Sequence, residues 1–77
     1  MELAKLRYFY TVAKHQHVTR AAEEIHIAQP ALTKAIKQLE DELSAPLFYK
    51  KGRNVYLTEC GVYLQKKLEG TFLIIMN

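Results

Sequence analysis

The chain has 77 residues, a net charge of +3 and a hydrophobic content of 49%. That length makes one small domain, near the size at which a single core is marginal without help, and the apolar share is ample for such a core. A lone cysteine, Cys60, excludes an intramolecular disulfide framework and fits a reducing cytoplasm.

In chain order, Met1-Glu2 leads straight into an amphipathic pattern rather than a signal peptide. Leu3, Leu6, Phe9-Tyr10 and Ala13 recur at helical spacing and predict a leading helix. Thr19 is placed to cap a second, short helix by accepting an unpaired first-turn amide proton. Ala21 and Ala22 are small enough to let another helix cross closely, and Ile25 closes the apolar face. His26-Ile27-Ala28 then makes a three-residue turn without glycine.

Pro30 lies just inside a third helix, where its missing N–H costs nothing. Leu32, Ala35/Ile36, Leu39 and Leu43 form that helix's buried stripe, over residues 29–43. Off the stripe lie Gln29, Thr33, Lys34, Lys37 and Gln38, all hydrogen-bonding or cationic. A short helix, a tight turn and a longer helix with a polar first turn are the layout of a helix-turn-helix, whose second helix enters the DNA major groove. Glutamine can bond adenine twice, threonine can offer a hydroxyl or a methyl, and lysine can reach guanine or a phosphate.

Ser44-Ala45-Pro46 ends the third helix. Leu47-Phe48-Tyr49 and Val55-Tyr56-Leu57 read as two strands of a hairpin around a basic tip, Lys50-Lys51-Gly52-Arg53-Asn54. Such a wing can lay Lys50, Lys51 and Arg53 along phosphates or a narrow minor groove. Thr58 caps a last helix, with Glu59 in its first turn. Leu64, Leu68, Phe72 and Ile75 make one apolar face of it, widened by Leu73, Ile74 and Met76. Two copies pairing through that face is the simplest reading of so much apolar surface, the other being that the helix folds back on its own core. The C-terminal apolar run is far too short to span a bilayer.

The expected architecture is therefore mainly α: a winged helix-turn-helix over residues 1–57, then residues 58–77 as the start of a linker and dimerisation helix. The basic residues Lys34, Lys37, Lys50, Lys51 and Arg53 fall on the two DNA-facing elements. Glu23-Glu24 and Glu40-Asp41-Glu42 read as solvated helix faces. His15, His17 and His26 lack the spacing and the acidic or thiol partners of a metal site and read as surface or turn histidines. There is no glycine-rich phosphate loop and no nucleophile with a base at motif spacing, so an enzyme is not expected, nor is a cofactor. The competing function is a winged helix that docks an acidic protein partner. Such a surface wants apolar or aromatic anchors where this chain has Gln29, Thr33, Lys34 and Lys37.

The same residues resemble the N-terminal DNA-binding domain of LysR-type transcriptional regulators. The likeness runs from about Leu3 to Leu64: Leu6 and Phe9, Thr19-Arg20-Ala21-Ala22, Gln29-Pro30-Ala31-Leu32-Thr33-Lys34, Ile36, Leu39-Glu40, Leu47-Phe48, Arg53, Leu57-Thr58 and Gly61. The resemblance implies a linker helix leading to a C-terminal effector-binding domain outside these residues, with any inducer site in it. It also implies homodimer or tetramer assembly on AT-rich, interrupted inverted repeats. Carried over by position, Gln29, Pro30, Thr33 and Lys34 face bases or nearby phosphates. Thr19, Arg20 and Lys37 touch the backbone, and Arg53 reaches toward the minor groove. Several positions depart from the family pattern. Ala28 stands where a serine usually caps the recognition helix, at a cost of about 1 kcal/mol. Thr33 and Lys34 replace serine and arginine, and lysine keeps the charge without the bidentate fork. Ser44 replaces a glycine, and Lys50 an arginine.

Overall fold

The computed structural model describes the backbone of residues 1–76 and the side chains of residues 1–70. Its elements run α1 (Leu3–His15), α2 (Val18–Ile25), α3 (Gln29–Leu43), β1 (Phe48–Lys51), β2 (Asn54–Leu57) and α4 (Glu59–Met76). This is the expected winged helix-turn-helix with a following helix, and α3 has the bounds its periodicity predicts.

Two connected apolar clusters hold these elements together. Phe9, Leu39, Leu47 and Leu68 centre the first; Val12, Ala21, Ala22, Leu32 and Val55 centre the second. Ile36 and Phe48 pack against both, and the Phe9 and Phe48 rings lie 5.3 Å apart, so the hairpin is seated on α1. Alanines at 21 and 22 bring α2 close to its neighbours, as their size suggests. In α1 the buried line is Phe9, Val12 and Ala13, while Leu3 remains 47% exposed. Leu6 and Tyr10 pack half-buried against the same core, so the expected stripe holds from Leu6 to Ala13, and Val12 joins it because α1 packs against both α2 and α3.

Each of the first three helices ends on a non-glycine residue in the left-handed conformation: Gln16, His26 and Ser44. After α2, the Ile27 N–H bonds back to Ala22 O and the His26 N–H to Glu23 O. After α3, the Ala45 N–H reaches Glu40 O and the Ser44 N–H reaches Asp41 O. Both are Schellman turns, which satisfy carbonyls that would otherwise lack partners. This explains how a three-residue turn closes without glycine: His26 takes the strained position at φ 65°.

The N-terminus of α2 differs from expectation. Its cap is His17, not Thr19: His17 is extended, and its Nδ1 accepts the Arg20 N–H at 3.3 Å. An imidazole nitrogen with a free lone pair does the work of a hydroxyl here, and it leaves Thr19 one turn-position inside the helix. At α3 the cap residue Ala28 makes no side-chain bond, as expected of alanine.

The hairpin pairs Phe48 with Leu57 through Lys51 with Asn54, so Lys50, Lys51 and Asn54 belong to the strands. The turn is only Gly52-Arg53. Gly52 has φ 65° and Arg53 does not, the arrangement of a tight hairpin turn with glycine first. Thr58 caps α4 as expected, accepting the Gly61 N–H at 3.1 Å and donating to Pro46 O at 2.7 Å. At Gly61 a side chain would collide with the Leu47 carbonyl oxygen and come within 2.8 Å of Leu57 Cδ2, so glycine lets α4 lie against the base of the wing.

One assignment on α4 changes. Leu68 is 7% exposed within the single chain and serves this chain's own core rather than a dimer face, while Leu64 packs half-buried on the same cluster. The apolar stripe said that one side of the helix is buried; α1 proves to be what covers it. Phe72 and Ile75 lie outside the described side chains. Among the described residues, no helix is long and apolar enough to cross a membrane.

Candidate nucleic-acid interface

Gln29, Pro30, Thr33, Lys34 and Lys37 share one shallow concavity along the N-terminal half of α3. The spacing explains this: residues 29, 33 and 37 are successive i, i+4 neighbours, with 30 and 34 beside them. A second groove joins this strip to the hairpin. Gln29, Thr33, Lys37 and Glu40 line one wall, Tyr49 and Lys50 the other, over a floor of Val12, Val18, Ile36, Phe48 and Val55. The polar rim carries amide, hydroxyl and ammonium groups beside the Glu40 carboxylate, which is engaged by the backbone N–H groups of the wing.

The wing is tied down at its base and free at its tip. Glu40 Oε2 accepts the Leu47 N–H at 2.6 Å and the Phe48 N–H at 3.3 Å. The Val55 N–H donates to Gln16 O at 3.0 Å, and the Thr58 N–H to Leu47 O at 3.0 Å. Tyr49 and Tyr56 form a cross-strand pair with ring centres 5.7 Å apart. Lys50, Lys51 and Arg53 are exposed beyond these anchors, with Lys51 and Arg53 at the tip and only Lys50 lining the groove. Glu40 is thus not the solvated acid its run suggested. The carboxylate of the recognition helix sets where the wing begins.

Charge pairing follows the same division. Glu42 takes the N-terminal ammonium at 3.5 Å and Lys5 at 3.7 Å; Glu24 takes Lys14 at 3.1 Å and His15 at 2.8 Å. The hydrogen bond from His15, then that from Lys14, holds the Glu24 carboxyl below its ordinary range. By contrast Arg20, Lys34, Lys37, Lys50, Lys51 and Arg53 have no acidic partner among the described residues. Arg7 and Lys66 have no acidic partner among the described residues either; Arg7 borders a separate concavity between α1 and α2, with Tyr8, Tyr10, Glu24 and Ile25, while Lys34, Lys37 and Lys50 border the two along α3.

Arg20 is exposed on α2 and lines neither groove. Thr19 is exposed as well, but its hydroxyl is already engaged, donating to Gln29 Oε1 at 2.9 Å. The three histidines have structural partners or positions: His15 pairs with Glu24, His17 caps α2 and His26 ends it. Among the described residues no cluster of three or more His, Cys, Asp or Glu could hold a metal ion. Sequence reasoning missed Tyr49 and Glu40. Strand alternation opposite Phe48 could have found the tyrosine, but nothing local distinguishes Glu40 from Asp41 and Glu42.

A short helix and a longer one joined by a three-residue turn, with a polar, cationic strip on the second and a basic hairpin beside it, define the winged helix-turn-helix class. The family model for bacterial regulatory helix-turn-helix proteins of the lysR family matches residues 3–62, and the chain belongs to that family. It is 52% identical over 61 residues to the HTH-type transcriptional regulator BudR of Klebsiella aerogenes, covering 79% of this chain and 43% of that one. The fold is also that of the CbnR DNA-binding domain in a crystal structure of its DNA complex. The TM-score is 0.89 at 28% identity, over 97% of this chain and 86% of that chain. The BenM DNA-binding domain bound to catB site 1 DNA gives 0.84 at 36% identity, over 99% and 89%. The chain spans 20% of the length of one curated relative and 43% of another.

Proposed function

We propose that this chain is the DNA-reading module of a bacterial transcriptional regulator, binding duplex DNA sequence-specifically with α3 in the major groove and the wing at the backbone and minor groove. One observation carries this reading: Lys37 and Lys50 border the groove between α3 and β1 together with Gln29 and Thr33, and neither cation is neutralised among the described residues. A B-DNA major groove about 12 Å wide accepts a helix about 10–12 Å across. Gln29 and Thr33 suit base edges, with Pro30 and Lys34 beside them. Arg20, Lys37, Lys50 and Lys51 suit phosphates, and Arg53 suits the minor groove. The start of α3 adds to this, because Ala28 makes no side-chain hydrogen bond there and leaves backbone N–H groups at the positive end of the helix dipole.

Binding rather than catalysis is the function, in keeping with relatives that are transcriptional regulators. Two copies acting through the C-terminal part of α4 match an interrupted, AT-rich inverted repeat, with a tetramer in the longer protein. The support for pairing there is the apolar run 72–76 of the sequence, since Leu68 is buried in the core and Leu64 packs against it. An inducer is bound by residues outside this chain, and the protein works in the cytoplasm, where its DNA is.

Selection of bound sequences from a random duplex pool tests this. An inverted repeat with half-sites about one helical turn apart is expected. Affinity should fall with salt at a log–log slope of about −7 if about eight phosphates are engaged per dimer. A folded chain that enriches no sequence, yet binds acidic proteins, would replace this reading with the protein-docking one.

A further inference from the structure

We infer that Thr58, at the start of α4, is a positioning residue for the wing, so that the seat of α4 sets how the wing meets DNA. The inference rests on the proposal that the wing tip lies against the DNA backbone. Its basis is a clamp around Leu47, where the wing begins. The two peptide groups that flank Leu47 are each held on both sides. Their N–H groups, those of Leu47 and Phe48, go to one carboxylate oxygen of Glu40 on α3, at 2.6 and 3.3 Å. Their carbonyl oxygens, those of Pro46 and Leu47, go to Thr58. Its hydroxyl donates to Pro46 O at 2.7 Å, and its own N–H donates to Leu47 O at 3.0 Å. Leu47 itself is fully buried. The base of the wing is therefore fixed from one side by the recognition helix and from the other by α4. Gly61, three residues further on, leaves no room for a Cβ against the Leu47 carbonyl, so α4 and the base are in close contact as well as hydrogen-bonded.

A base held in this way is one arm of a lever. The middle of β2 is tied separately to the end of α1, by the Val55 N–H to Gln16 O bond at 3.0 Å. Val55 lies three residues from Thr58 and two from Arg53. At about 3.4 Å per strand residue the two arms are about 10 and 7 Å long, so a shift of the base reaches the tip, reversed, at about two-thirds of its size. A hydrogen bond from an N–H group to oxygen holds over about 2.7–3.2 Å, so a base shift of about 1 Å already weakens the grip of Arg53 on a phosphate. Gln29 is not on this lever, because it stands about 16 Å from Glu40 along an unbroken α3.

The test is a double-mutant cycle in DNA affinity, read by fluorescence anisotropy of the purified chain on its selected duplex. Thr58→Val removes the hydroxyl, and with it both the bond to Pro46 O and the cap on the Gly61 N–H; Thr58→Ser restores them. Each variant is measured at a temperature where circular dichroism shows it folded. Thr58 and Arg53 are about 17 Å apart along the strand, and changes so far apart ordinarily combine within about twofold. The fold-loss of affinity caused by Arg53→Ala should be at least about three times smaller in Thr58→Val than in the native chain, outside that scatter, because the arginine has already lost its place. In Thr58→Ser it should keep its native size, and Gln29→Ala should cost the same in every background. Gly61→Ala pushes α4 off the Leu47 carbonyl by a different route; it should show the same coupling to Arg53, and it stands in if Thr58→Val does not fold. Full additivity with Arg53→Ala overturns the inference, as does equal coupling to Gln29→Ala, which would mark a general loosening of the fold. If Arg53→Ala changes nothing in the native chain, the proposed wing contact itself falls, and the role of Thr58 falls with it.

Discussion

Replacing Glu40 by alanine probes the joint between the recognition helix and the wing. Its Oε2 receives two backbone N–H groups, Leu47 at 2.6 Å and Phe48 at 3.3 Å, in a half-buried setting. A hydrogen bond to a charged group contributes about 1.5–3 kcal/mol, and a half-buried donor left without a partner is penalised further. The first bond is short and the second long, so the pair is worth about 2–3 kcal/mol together. For a domain of this size each kcal/mol moves the melting temperature by about 4–8 °C, so Glu40→Ala should lower it by about 10–20 °C. Glu40→Gln keeps a neutral acceptor and should lose roughly half as much. Thermal unfolding followed by circular dichroism measures both, with Asp41→Ala as the exposed control. The reasoning is refuted if Glu40→Ala melts within about 2 °C of the native chain, or if Asp41→Ala does equal damage. DNA affinity gives a second readout: at a temperature where both are folded, Glu40→Ala should bind more weakly than Asp41→Ala, because the start of β1 is no longer fixed relative to α3.

Arg53→Ala should weaken binding to specific and random duplexes alike and shallow the salt slope by about 0.9 for each phosphate that the arginine no longer neutralises, as read by fluorescence anisotropy at several ionic strengths; an unchanged slope would remove the wing tip from the interface. Ser44→Gly should raise stability by about 0.5–1 kcal/mol, since the left-handed backbone at φ 55° penalises a Cβ by about 1–2 kcal/mol while glycine forfeits about 0.5–1 in chain entropy; a urea midpoint that falls instead would show that the serine side chain matters there. For Glu24, held below the usual carboxylate range by His15 and Lys14, the sign is that of a depressed acid. Its contribution is present above the unfolded carboxylate value and is lost as pH falls through the folded one. Because the side chain is about half exposed, the effect is small and salt-sensitive. Native chain and Glu24→Gln should therefore differ in melting temperature at neutral pH and converge in acid, and a gap independent of pH would contradict the assignment.

Most of the fold could be read from neighbouring residues. Helical spacing from Leu32 to Leu43, Pro30 near the start and Pro46 beyond the end determine α3 through interactions three or four residues long. Hairpin placement and the Thr58 cap are equally local. The α2 cap was misplaced: the pattern pointed to Thr19, but the residue whose backbone is extended is His17, and its ring nitrogen became the cap. The polar strip Gln29, Thr33, Lys34 and Lys37 was legible for the same reason α3 was, because a helix with one buried stripe exposes the opposite side.

By itself, then, the sequence determined the order and kind of the elements, the cationic strip of α3 and the basic hairpin, all of which depend on interactions within a few residues along the chain. Tertiary structure decided the partners. It turned Leu64 and Leu68 inward onto the core and made Glu40 the anchor of the wing. It also gave the Thr19 proton to Gln29 across the turn. A pattern of apolar or polar residues states that a side chain will be covered or will find a hydrogen bond, but which group meets it depends on how separate elements approach in space, and that is known only once they have packed.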